Sequence, residues 1–160
     1  MKIAIGADHG GFALKEVLKN FLGKKGHKVT DVGAHRLEPG DDYPEFSALV
    51  ARQILEKRAE RGILVCGSGV GASVAANKFP GVRAALCHDI FSAHQGVEDD
   101  NINVLCLGQR VVGEELAKEL AIRFVEAKFS GAERHLRRLD EIEKIEARYM
   151  ETEGAEKKQC

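Results

Sequence analysis

No uninterrupted apolar stretch in this chain approaches the roughly 20 residues needed to span a bilayer. The apolar run after Lys2 is only Ile3-Ala4-Ile5 before Gly6 and Asp8, too short for the core of a secretory leader. These absences predict a cytosolic protein with no membrane partner. Nor is there an excess of charge of either sign: the formal net charge is −1, so no global field draws nucleic acid or an anionic surface. The four cysteines, Cys66, Cys87, Cys106 and Cys160, form no C-x-x-C pair and have no histidines at zinc-ligand spacing. The G-x-G-x-x-G fingerprint of dinucleotide binding is missing, as are internal repeats. These absences argue against a zinc-finger-type site and a dinucleotide site.

What the chain does have is enough ordinary sequence for a packed core. Its 160 residues are 44% hydrophobic and 31% charged, which suits one soluble domain over residues 1–150 with a polar, flexible tail at 151–160. Short apolar runs alternate with helical patterns. Strands are expected at 2–6, 28–32, 62–66, 82–87 and 103–107. Helices are expected at 12–24, 45–57, 71–79, 89–97 and 113–128, and a last amphipathic one at 132–150. Five strands separated by helices predict a doubly wound, Rossmann-like α/β/α sandwich on a parallel sheet, with an extra C-terminal helix. That helix either covers its own domain or docks on a second subunit.

Ligands of such sheets gather beyond the carboxyl ends of the strands. Four segments fall there: Asp8-His9-Gly10-Gly11, the turn Cys66-Gly67-Ser68-Gly69-Val70-Gly71, His88-Asp89, and Gly108-Gln109-Arg110. The turn is the most informative. It places a thiol at a strand end, followed by closely approachable backbone N–H groups at a helix start, where a phosphate or a developing oxyanion can bind. The bland alternative is a buried cysteine before a tight turn. Asp8 is equally readable as a helix N-cap or as a contact to a substrate hydroxyl. Arg134 and Arg138, four apart on one helical face, either clamp a phosphate or form a solvated surface. The acidic run Glu98-Asp99-Asp100 is weak evidence for a metal.

Together, and in this order, these motifs resemble the B-type ribose-5-phosphate isomerases, within the sugar-phosphate isomerase family that includes the galactose-6-phosphate isomerase subunits. The resemblance spans residues 1 to about 148. It rests on Gly6-Ala7-Asp8-His9-Gly10-Gly11-Phe12, Asp42-Tyr43-Pro44, the 66–71 turn running on to Ala75-Ala76-Asn77-Lys78, Asn103-Val104-Leu105, Gly108 to Gly113, and Arg134-His135.

The resemblance implies aldose–ketose isomerisation through a cis-enediolate with no metal and no organic cofactor, and with ribose 5-phosphate as the leading substrate. Cys66 is then the carbon base, which calls for a stabilised thiolate because a free thiol titrates near about 8.5. Ser68 moves the proton between oxygens. The N–H groups of Gly67, Gly69, Val70 and Gly71 hold the enediolate. Asp8 and Tyr43 contact sugar hydroxyls, and His9, Arg110, Arg134 and Arg138 hold the phosphate. The two helical arginines reach across a homodimer whose active site is shared, with a tetramer as the larger possibility. One departure stands out: Asp99-Asp100 occupy the place of a His-Asn pair that in relatives opens the furanose ring and contacts the sugar. Asp99 as a base, or His94 one turn earlier, is a substitute. Otherwise the substrate is one that forms no furanose, such as a tetrose 4-phosphate. A noncatalytic sugar-phosphate-binding subunit is the alternative outside catalysis. A thiol phosphatase is disfavoured because Ala72 stands where its phosphate loop needs arginine.

Overall fold

The computed structural model describes residues 1–156, with side-chain environments through Tyr149. In chain order its elements are β1 (Lys2–Ala7), α1 (Phe12–Lys24), β2 (Lys28–Asp31), α2 (Tyr43–Leu55), β3 (Arg61–Cys66) and α3 (Val70–Ala76). There follow β4 (Ala84–Leu86), α4 (Ile90–Asp100), β5 (Val104–Gly108), α5 (Glu114–Glu126) and α6 (Glu133–Glu156). The five strands pair in parallel in the order β2-β1-β3-β5-β4. This is the expected five-stranded Rossmann-like architecture.

The order follows from one handedness rule. A parallel crossover is right-handed, so the direction of travel across the sheet fixes which face its helix covers. The steps β1 to β2 and β4 to β5 run one way, and α1 and α4 share a face with α5. There Leu14, Leu18 and Leu22 meet Ile3, Ile5, Ala93, Val97, Leu120 and Phe124. The steps β2 to β3 and β3 to β4 run the other way, putting Val50 and Ala51 of α2 and Ala72 and Ala76 of α3 over Ala4, Leu64, Val104 and Cys106. Strand β3 therefore feeds a helix on one face while both its neighbours, β1 and β5, feed helices on the other. Crevices open on both sides of its carboxyl end, which carries Cys66.

Several boundaries differ from the sequence pattern for identifiable reasons. Helix α2 starts at Tyr43, two residues early, because Pro44 is tolerated in a first turn, where its missing N–H is no loss. Strand β4 shrinks to three residues. Val82 closes a turn with the Phe79 carbonyl, and the Arg83 N–H bonds Asn103 Oδ1 rather than a neighbouring strand. Helix α4 extends to Asp100 and stops at Asn101 in the left-handed region (φ 51°), so Asp99 and Asp100 are helical. Helix α6 continues past Met150 to Glu156, and Cys160 lies outside the described residues. No helix among the described residues is long and apolar enough to cross a membrane.

The pattern also missed a buried cation. Lys15 is fully enclosed on the inner face of α1. It donates to Asp31 Oδ2 and to the Ala34 carbonyl, each at 2.7 Å, and pairs with Glu16 at 2.9 Å. With the Ala34 N–H on the Ala7 carbonyl, it ties the segment after β2 to the end of β1.

Candidate active site

Beyond the sheet's carboxyl edge a cavity of about 320 Å³ is lined by Asp8, His9, Gly10, Cys66, Gly67, Ser68, Arg110 and Val111. Three strand ends supply these residues. Asp8 follows β1, and its carbonyl accepts the Gly11 N–H at 3.1 Å, bending the chain into α1. Its side chain is buried. One carboxylate oxygen, Oδ2, receives the Cys66 thiol at 3.3 Å, while Oδ1 has no hydrogen-bond partner among the described residues. The Asp8 side chain thus does not cap α1. A capping partner instead comes from Gln109, whose Oε1 accepts the Leu14 N–H at 2.8 Å.

Cys66 closes β3. Its carbonyl takes the Gln109 N–H at 2.9 Å, and the Gly67 carbonyl takes the Arg110 N–H at 3.0 Å. The two loops touch through backbone: a Cβ on Gly108 would lie 2.6 Å from the Ser68 carbonyl oxygen. Gly69, the residue before α3, has φ +81°, a conformation an L side chain strains to adopt. His88 Nε2 accepts the Gly108 N–H at 3.1 Å, holding this edge from the β4 side. Ser68 is exposed at the mouth, and the Arg110 guanidinium lies beside Gly67.

Burial pushes the Cys66 thiol above its ordinary value, and the Asp8 carboxylate adds to the effect by hydrogen bond and by charge. The backbone N–H groups of Gly67 and Gly69 pull the other way without prevailing. Burial and Asp8 both oppose the stabilised thiolate that the carbon-base role calls for. Cys87 and Cys106 are buried strand-end and core thiols, the first pushed up to about 11 by burial.

His9 is fixed by a residue the motifs did not single out. Asp41 Oδ1 accepts the His9 backbone N–H at 2.8 Å and lies 2.7 Å from Nδ1. That hydrogen bond raises the imidazole's affinity for a proton, against the opposing cost of desolvation, and the charge of Asp8 helps. Asp8, His9 and Asp41 present ligand atoms within 4.8 Å of one another, the spacing a cation would need. Tyr43 stands over the turn from the start of α2, its ring close enough to Gly71 that a Cβ there would meet Cζ at 2.7 Å.

The remaining expected residues lie elsewhere in the chain. Asp99 accepts from Gln95 Nε2 at 2.6 Å and stands 3.4 Å from Nε2 of buried His135. Arg134 donates Nε to that same nitrogen at 2.8 Å, and Ser130 holds the other at 2.7 Å. Asp100 borders a separate cleft with Arg83, Ile142 and Glu146. Arg138 is exposed on α6, and His94 pairs with Glu98 in a depression beside Phe91 and Arg123. Within one chain, then, Asp8, His9, Cys66, Gly67, Ser68 and Arg110 converge. Asp99, Asp100, Arg134 and Arg138 do not line that cavity.

Comparison with known proteins places this geometry. Residues 3–142 match the family model described as Ribose/Galactose Isomerase. Ribose-5-phosphate isomerase B of Escherichia coli is 42% identical over 147 residues, 92% of this chain and 97% of the relative. D-erythrulose-4-phosphate isomerase of Pectobacterium atrosepticum is 40% identical over 82% of this chain and 86% of its own length. The solved structure of ribose-5-phosphate isomerase B from Clostridium thermocellum superposes with a TM-score of 0.90 at 44% identity, covering 93% of this chain and 99% of that one. The chain belongs to the ribose/galactose isomerase family, and it is an aldose–ketose isomerase of sugar phosphates of the ribose-5-phosphate isomerase B type.

Proposed function

We propose that this isomerase interconverts ribose 5-phosphate and ribulose 5-phosphate, with Cys66 as the base that moves the carbon-bound proton. The observation that carries the reading is the Cys66–Asp8 contact at 3.3 Å inside a cavity that also holds His9 and Arg110. Thiol and carboxylate share one proton. Its passage to Asp8 when substrate arrives creates the thiolate without changing the pair's net charge. The thiolate then takes the proton from C2 of the open-chain aldose, and negative charge develops on O1. Backbone N–H groups of residues 67–71 face that oxygen. Ser68 passes a proton from O2 to O1, Cys66 returns its proton to C1, and the ketose is complete. No group outside the chain and the substrate is consumed.

At the far end of the substrate, His9 and Arg110 receive the phosphate. Arg134 and Arg138 join from a second copy of the chain, a reading supported by their exposure and by their absence from their own cavity's lining. Leu136 and Ile145, more than half exposed on the same helix, supply an apolar surface for that copy. Asp8, through its unbonded Oδ1, and Tyr43, over the glycine turn, contact sugar hydroxyls.

A second substrate reading is favoured by Asp99. Within one chain it lies outside the cavity, held by Gln95 Nε2 at 2.6 Å and 3.4 Å from His135 Nε2, so it brings no ring-opening group to its own Cys66. A tetrose 4-phosphate needs no ring opening, because its terminal oxygen is esterified and no furanose forms. Turnover of tetrose, pentose and hexose phosphates by the purified protein, compared by kcat/KM, tests both readings. Ribose 5-phosphate is expected to lead, and a higher value for a tetrose phosphate would transfer the assignment to it. Full turnover by Cys66→Ala on the best substrate would refute the mechanism.

A further inference from the structure

Asp41 comes from the segment between β2 and α2, 32 residues after His9, yet it makes two hydrogen bonds to that residue, one to the backbone and one to the ring. Its side chain is only 11% exposed, and its second oxygen, Oδ2, is buried with no hydrogen-bond partner among the described residues. A buried carboxylate this close to an imidazole fixes which nitrogen faces where. Nδ1 is committed to Asp41, so Nε2 is the nitrogen left for the cavity that His9 lines. The segment carrying Asp41 is itself anchored near its start, by Lys15 on the Ala34 carbonyl and by the Ala34 N–H on Ala7.

We propose that Asp41 is a positioning residue for the anionic end of the substrate: it holds the His9 ring so that Nε2–H points at the phosphate. This rests on the reading of His9 as a phosphate ligand and extends it to the residue that makes His9 fit for the task. The charged and titratable groups around the imidazole are Asp8 at the end of β1, Asp41 before α2, Cys66 at the end of β3 and Arg110 after β5. Asp41 bonds directly to the ring and Asp8 adds its charge, so both favour imidazolium. A positively charged donor at Nε2 makes a charge-assisted hydrogen bond to a phosphate oxygen.

Asp41→Asn tests this, because it keeps an acceptor for the His9 backbone N–H while removing the charge. Replacing one charge-assisted hydrogen bond by a neutral one predicts a roughly ten-fold rise in KM near neutral pH, with kcat falling far less. The pH at which KM begins to climb moves down, because the His9 ring loses its proton earlier. Inorganic phosphate serves as the probe in a parallel measurement: its inhibition constant rises with KM, and the histidine ring signals report a lower His9 pKa. In the wild-type protein, which needs no refolded variant, phosphate binding raises the His9 pKa further. His9→Asn separates the two layers. If His9→Asn leaves KM and phosphate inhibition unchanged, the phosphate-ligand reading fails. If His9→Asn is impaired while Asp41→Asn matches wild type in KM and pH profile, the role of Asp41 fails alone. Loss of wild-type activity on exhaustive chelation would also overturn it, by assigning Asp8, His9 and Asp41 to a cation.

Discussion

Gly11→Ala is the sharpest test of how the fold builds the site. Gly11 is the residue before α1, where the helix start presses on the end of β3. A Cβ there would lie 2.2 Å from the Val65 carbonyl oxygen, 2.3 Å from its carbon and 2.7 Å from the Cys66 nitrogen. Ordinary contact begins near 3.4 Å, and all three obstacles are main-chain atoms of a strand paired on both sides. The helix start must therefore retreat by roughly 1 Å, since the strand does not yield. Overpacking of this kind costs about 3 kcal/mol, at the upper end of its usual range because backbone must move. For a chain of this size that lowers Tm by roughly 10 °C. The same retreat carries Asp8 and His9 away from Cys66, and a misplacement of about 1 Å in a catalytic pair costs on the order of 100-fold in kcat/KM. Urea and thermal unfolding measure the first effect, and an isomerase assay on the folded variant measures the second. Gly23→Ala, in the same helix with nothing within 4 Å of its added Cβ, is the control and should gain up to about 1 kcal/mol. A Gly11→Ala protein with wild-type stability and turnover would refute the close-packing argument.

Asp8→Asn removes both Asp8 effects that hold the Cys66 proton, so iodoacetamide should alkylate Cys66 faster at neutral pH while turnover falls. Slower alkylation would contradict the assigned direction. In the native wild-type chain, a thiol reagent should find Cys66 well before Cys87 and Cys106, which burial keeps protonated and covered, and peptide mapping reads the order. Lys15→Met should cost about 3 kcal/mol in urea unfolding, because Asp31 loses one of its two lysines and the Ala34 carbonyl loses its side-chain donor. Burial alone would raise the Asp31 carboxyl, but bonds from Lys15 and Lys19 outweigh it and hold it below its usual range. The stability Asp31 contributes is thus present above about pH 3.9 and lost as pH falls through its depressed value, more steeply in wild type than in Lys15→Met.

The sheet was legible because each strand is a short apolar run and each crossover a helical pattern. The strand order was not, since periodicity carries no information about which strand lies beside which. Helix faces were half legible. In α1, Leu18 and Leu22 are apolar residues at helical spacing and are buried, but Lys15 is enclosed on the same side. A lysine reads as surface unless its two acceptors, Asp31 and the Ala34 carbonyl, are known to converge on it. In the site, Cys66 ends a strand and Asp8, His9, Ser68 and Arg110 stand one or two residues beyond one, and strand ends converge by topology alone. Asp41 sits in the irregular segment between Asp31 and Tyr43, where local pattern fixes no position, so only the folded chain reveals its bond to His9.

The cradle around Cys66 is set mainly by main chain: Gly11 on β3, Gly108 on Ser68, and the left-handed Gly69. The side chains that meet different parts of a sugar phosphate project from the rim of that frame. Such a division makes the protein evolvable in a particular way. Exchanges of rim side chains can retune which sugar is accepted while the proton-transfer geometry is inherited unaltered.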